Sequence, residues 1–142
     1  MGRWPLAFML FGLFTGCGTI PTAPNSSPVE QAALVTAADE TAAMVRLRAI
    51  ADAQALYQME SATGEYATLE ELTTRQLVRD PSAGKLARYR FEVNLRPRGF
   101  EATAVPEKYG ITGKRSFYID ETRTMRGADK RGAKAGSSDP AL

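Results

Sequence analysis

Apolar positions in this chain recur at two different periods, and the change from one to the other falls near Gly64. Before it, Ala43, Leu47, Ile50, Ala53 or Gln54, and Tyr57 keep the three-and-four spacing of one buried helix face. Ser27 reads as the N-cap of that helix, with Pro28 in the first helical position and Glu30 closing a capping box. Neither proline nor glycine then occurs until Gly64, which is expected to end the helix as its C-terminal cap. A helix of about 36 residues would be ~54 Å long. Its first half, Val29 to Thr41, is alanine-rich and acidic with a thin apolar stripe, so it is expected to project from the body or to break.

After Gly64 the pattern shortens. Thr68 and Glu71 form a second capping box and predict a short helix or turn over Thr68 to Leu72, and Asp80 to Gly84 reads as a loop. The stretch ARYRFEVNL then alternates strictly, with Tyr89, Phe91, Val93 and Leu95 on one face and Arg88, Arg90, Glu92 and Asn94 on the other. Arg96 to Gly99 makes a turn, Phe100 to Val105 a second strand, and Ser116 to Asp120 a third with Phe117 and Ile119 facing in. A short fourth strand is predicted at Thr124 to Arg126. One long helix followed by an antiparallel meander of three to four strands is an α+β plan, which places the folded domain at residues 28–126. From Gly127 to Leu142 the chain is small and charged, and disorder is expected.

The first 27 residues follow another logic. Arg3 precedes an apolar run from Leu6 to Phe14, then the small residues Thr15 and Gly16, then Cys17, the single cysteine of the chain. This is the layout of a secretory signal, and it is too short for a membrane span of ~20 helical residues. The run resembles the lipobox of bacterial lipoproteins, although Phe14 stands where leucine is usual. The resemblance implies a signal peptide over 1–16, cleavage before Cys17 and acylation of its thiol and new amino group. Several acyl chains give stable anchoring where one would be marginal. The competing reading is a plain cleaved signal with an incidental cysteine. Residues 17–27, rich in Pro, Ser, Thr and Gly, then read as a tether. The expected location is the cell envelope, with the protein lipid-anchored and facing the periplasm or the exterior.

AIADAQALYQMESATGEYATLEEL, YRFEV and RSFYIDETRTMR together resemble the periplasmic head of type IV pilin-like proteins and type II secretion pseudopilins. The matching positions are Ala53, Gln54, Tyr57, Gly64 and Tyr66 in the helix and its exit, and Phe117, Tyr118, Asp120 and Glu121 at the sheet end. The resemblance implies a long helix whose C-terminal half packs on a small antiparallel sheet, and envelope or secretion and pilus proteins as partners. Two positions depart from the family. Arg123 stands where its turn usually has glycine, and the long apolar helix through which pilins polymerise is missing from the sequence.

Composition narrows the chemistry. The 142 residues suffice for one domain with a modest core, and they include no histidine, which removes the commonest general base and metal ligand. One cysteine permits neither an internal disulfide nor a thiolate zinc site. Adjacent carboxylates do not share a helix face, so Asp39/Glu40, Glu70/Glu71 and Asp120/Glu121 are not ready acid–base pairs. Asp120 and Glu121 are the candidates for a calcium site, without the oxygen-rich spacing of an EF-hand loop. No motif implies a cofactor, and the chain reads as a non-enzyme. Tyr57 and Tyr66 read as packing residues.

Charge is segregated despite a formal net of +2. Val29 to Leu72 holds eight acidic and two basic residues, whereas Thr73 to Arg115 holds ten basic and four acidic. One explanation is attraction within the fold. The other is an exposed basic sheet face, with Arg88, Arg90, Arg96 and Arg98 as partner-binding residues and Lys114 and Arg115 nearby. Such a face suits an acidic protein, an anionic lipid or nucleic acid. Nucleic acid is disfavoured, because the aromatics fall on the opposite face. The functional expectation is a lipid-anchored, pilin-like interaction protein serving a secretion or pilus-type system or a surface scaffold. The alternative is a binding module for an anionic ligand.

Overall fold

The computed structural model describes residues 27–80 and 88–142. The expected signal peptide, Cys17, the expected tether up to residue 26 and the expected loop over Pro81 to Gly84 lie outside the described residues. The order of elements is α1 (Pro28–Glu60), α2 (Leu69–Thr74), β1 (Tyr89–Arg96), β2 (Gly99–Pro106), β3 (Arg115–Asp120) and β4 (Arg126–Asp129). The strands form an antiparallel sheet in the order β1-β2-β3-β4, the expected α+β meander.

α1 is one continuous helix. Ser27 caps it as expected, accepting from the Glu30 amide, and Ala43, Leu47, Ile50, Ala51, Ala53 and Gln54 form its buried face. The C-terminal cap is Ser61 rather than Gly64: Ser61 is extended and its amide donates to the Tyr57 carbonyl. Gly64, at φ +66°, serves the turn three residues later. The first half stays attached through polar contacts. Thr36 Oγ1 lies 3.4 Å from the Ile111 carbonyl, and Glu40 Oε1 accepts from the Lys114 and Arg115 amides at 3.0 and 3.2 Å.

The chain leaving α1 is fixed by a single buried amide. Gln54 Nε2 donates to the Ala67 carbonyl at 2.6 Å, and its Oε1 accepts from the Ala67 amide at 2.9 Å. Both residues are fully buried. One residue on, Thr68 and Glu71 form the expected capping box of α2, which buries Leu72. Hydrogen bonds from the Thr68 amide and hydroxyl hold the Glu71 carboxyl below the usual glutamate range.

Register assigns the two sides of the sheet. Phe91, Ala104, Phe117 and Gly127 stand opposite one another on the helix side, and Glu92, Thr103, Tyr118 and Arg126 on the outer side. The core between helix and sheet contains Leu47, Ile50, Leu72, Phe91, Phe100, Phe117 and Ile119, with Tyr57 and Val93 packed at its margin. Tyr89 is also buried there, and Gly113 has no side chain because a Cβ would fall 1.9 Å from the Tyr89 hydroxyl oxygen.

The sheet end and the C-terminal segment depart from expectation. Arg123 occupies a left-handed turn position at φ +61°, Met125 is buried after it, and the fourth strand begins two residues later than predicted. Residues 127–142, expected to be disordered, form β4 and then a strap across the outer face. Ser116 Oγ donates to the Ala133 carbonyl at 2.6 Å, Lys134 pairs with Glu92, and Ala135 is buried. Asp139 receives Lys130 Nζ at 2.9 Å and the Gly136 amide at 2.8 Å, which together hold its carboxyl below the usual range. Gly127 then donates to the Pro140 carbonyl and Leu142 to that of Met125, so Pro140 to Leu142 extend the sheet beyond β4. Composition concealed this order because it rests on long-range ion pairs and backbone bonds rather than on an apolar period.

Two stability changes follow. Gln54→Ala strands two buried backbone groups and should cost about 2–5 kcal/mol by denaturant unfolding. Gln54→Leu, which keeps the volume, should recover only a small part; losses below ~1 kcal/mol for both would show that the amide is dispensable. Arg123→Gly relieves left-handed strain of about 1–2 kcal/mol and forfeits only the exposed pair with Asp52. It should therefore stabilise the domain by up to ~1 kcal/mol, and a loss of that size instead would assign the turn to the guanidinium.

Candidate interaction site

The four arginines expected to share a basic face do not share it. Arg88 precedes β1 and turns to the helix, where its Nε donates to Asp39 Oδ2 at 2.7 Å and its side chain is half-buried. Strict alternation placed it outward, but β1 begins only at Tyr89, so the pleat does not govern Arg88. Arg90 does lie exposed on the outer face, 3.7 Å from Glu92. Arg96 pairs across the hairpin with Glu101. Arg98, in the two-residue β1–β2 turn, is exposed and engages none of the described residues.

Among the described residues, the ion pair of Asp39 with Arg88 joins the acidic segment to the basic one. Asp39 holds Arg88, Asp52 holds Arg123, and Glu40 caps two amides at the start of β3. Of the neighbouring cations, Arg115 lies 5.6 Å from the Phe117 ring centroid, while the Lys114 side chain borders a shallow groove against the first half of α1. Attraction between helix and sheet accounts for part of the asymmetry, and the four arginines do not form one continuous basic surface.

A groove brings together residues that the sequence left apart. It encloses about 810 Å³ between the end of α1, the 63–68 connection and the β1–β2 turn. Tyr57, Tyr66 and Leu95 supply apolar walls, Thr63 and Glu65 polar ones, and Arg96 and Arg98 stand at the hairpin side. Tyr66 is braced by Phe100 at 5.3 Å between centroids, and the Arg75 guanidinium covers the Tyr57 ring at 4.6 Å. Both tyrosines are packing residues, as expected, but each keeps an exposed part that faces this groove. The expected turn at Arg96 to Gly99 carries Arg98 to the end of the helix, a proximity that no local pattern in the sequence signals.

Asp120 and Glu121 do not make a metal site. Asp120 is engaged by the Tyr118 hydroxyl at 3.1 Å and by the Thr122 amide at 3.0 Å, and Glu121 packs its carboxylate beside Gly99. Among the described residues no group of three ligating side chains could hold a metal ion. Burial and the Asp120 carboxylate push the Tyr118 hydroxyl up to about 12, so it stays a protonated donor at neutral pH. No helix among the described residues is long and apolar enough to cross a membrane. No family model, curated protein or solved structure matches the chain.

The arginines separate in a direct test. Arg88→Glu places a carboxylate against Asp39 and should cost about 1–3 kcal/mol. Arg90→Glu and Arg98→Glu should each change stability by less than ~1 kcal/mol. Equal costs for Arg88 and Arg98 in the same unfolding experiment would remove the distinction.

Proposed function

We propose that the chain is a lipid-anchored envelope protein whose pilin-like domain is an interaction module, an accessory or structural component of a secretion or pilus-type system or a surface scaffold. The observation that carries this reading is architectural. A continuous 33-residue helix packs its second half on a four-stranded antiparallel meander and leaves most of its first half in solvent. This arrangement supports the resemblance to a pilin head, whose motif residues Gln54, Tyr57, Gly64 and Tyr66 fall in the last turns of α1 and at its exit. The run ending at Cys17 supplies an anchor in place of the polymerising apolar helix. Asp39 is engaged in an ion pair, Glu40 and Glu71 accept from backbone amides and Asp120 from Tyr118 and Thr122, which supports a binding role.

A second reading has one specific observation behind it. Arg98 carries an unneutralised charge beside an aromatic groove, which suits a carboxylate-bearing peptide or another anionic ligand. The surface assigned to partners is therefore Arg90, Arg96 and Arg98, without Arg88.

Cys17→Ser should move the protein from the membrane to the soluble fraction and abolish incorporation of labelled palmitate. Unchanged fractionation and mass would sink the anchor. For the domain, Arg90→Glu with Arg98→Glu should leave unfolding unchanged and eliminate cross-linking to secretion or pilus components seen with the wild type. If cross-linking persists and only an acidic peptide loses its affinity, the anionic-ligand reading replaces the first.

A further inference from the structure

The strap from Lys130 to Leu142 is held differently from the rest of the domain. Ala135 is the one buried apolar side chain it contributes. Apart from the half-exposed Leu142 side chain beside Gly127, its remaining attachment to the sheet is polar: Lys134 on Glu92, Ser116 on the Ala133 carbonyl, Arg126 on the Asp139 carbonyl, and the two backbone bonds to Pro140 and from Leu142. The ion pair is solvent-accessible, so salt weakens it.

Two features oppose closure. Arg131 sits at φ +52° at the root of the strap, a region disfavoured for a residue with a Cβ, whereas Gly132 at +87° carries no such cost. On the sheet's outer face, Thr103 Oγ1 is buried with no hydrogen-bond partner. A buried unpaired hydroxyl costs free energy that water restores on opening.

Opening exposes an edge of specified shape. β4 pairs on one side with β3 and on the other with residues 140–142. An uncovered edge is a template for another strand. The complement already fitted to it, in side chains and in backbone register, is the same segment of an identical chain. Exchange of an identical element between protomers restores every contact at little cost.

We propose that the strap is exchangeable, so that residues 133–142 of one copy leave their own sheet and dock on the outer face and β4 edge of a second copy. The partner is this chain itself, and the pairing is reciprocal about a two-fold axis. It does not depend on the lipid anchor, and it meets the arginine surface only at Glu92, which Arg90 and Lys134 share.

Arg126 and Ala141 stand opposite each other, flanked by the bonds from Gly127 and Leu142. This is the non-hydrogen-bonded type of antiparallel pair, with Cα atoms ~4.5 Å apart, a separation a disulfide accepts. Arg126→Cys and Ala141→Cys are made separately in full chains carrying Cys17→Ser, mixed, and oxidised mildly. A covalent dimer holding one chain of each kind forms only when the strap of one lies on β4 of the other. It should exceed either homodimer severalfold and increase with protein concentration and salt. In the unmodified chain, the Gly127 and Leu142 amides should exchange with solvent at least about tenfold faster than those in the middle of β2. Absence of the mixed dimer, while the doubly substituted chain closes its disulfide internally, overturns the proposal. So do Gly127 and Leu142 amides that exchange no faster than β2.

Discussion

The side-chain amide of Gln54 determines where everything after the helix can go. It serves Ala67 as a neighbouring strand would, satisfying one N–H and one C=O in a site closed to water. Such a pair is strong because no solvent competes, and costly to break because neither group has an alternative. With Ala67 held at that level of the helix, the chain from Ser61 must reverse within a few residues. Gly64 at φ +66° makes the reversal possible. Thr68 can then start α2 with its capping box, Leu72 is driven into the core, and Tyr66 is set against Phe100. The groove beside Arg98 follows from this attachment together with Gln58, whose Nε2 donates to the Gly64 carbonyl at 3.2 Å.

The sheet is thin at its centre and closed on both sides. Ala102 and Ala104, fully buried in β2, share the core with Ala43, Ala51 and Ala53 of the helix. Small side chains in both layers let them come close, and the bulk needed to exclude water comes from Leu47, Ile50, Phe100 and Phe117. On the other side Thr103, Val105, Ser116 and Tyr118 are buried although they belong to a separate layer from that core. The strap covers them with little apolar material of its own, which is why the outer layer is held by hydrogen bonds and charge and the inner one by packing.

Local and periodic features were legible in the sequence. The α1 stripe, the Ser27 cap, the capping box of Thr68 and Glu71 and the alternation of Tyr89, Phe91 and Val93 each express a period or a short motif with its own mechanism. Features set by distant partners were not. The helix ends at Ser61, where no local stop signal stands, and the chain beyond it is held back to the helix where Gln54 bonds Ala67. Arg88 turns inward because Asp39 lies across from it, forty-nine positions away in sequence. The departure at Arg123 was visible and meaningful: a side chain forced to φ +61° delays β4 and puts Met125 in the core. The strap was missed because residues such as Lys130, Lys134 and Asp139 read as a solvated tail until their partners are known.

The first half of α1 shows how a long helix persists without a core of its own. Beginning a helix is costly, whereas extending one costs little per residue when alanine dominates. The buried second half, from Ala43 to Gln54, supplies the nucleus, and the Ser27 cap closes the far end. In between, Thr36, Asp39 and Glu40 tie the projecting turns to the Ile111 carbonyl, Arg88 and the amides at the start of β3. All three contacts are polar, and none buries Val29, Leu34 or Val35, which stay exposed. Stability is thus concentrated at one end of the helix while apolar surface is displayed at the other. A contact made by the projecting end gains that area without disturbing the packing that holds the fold together.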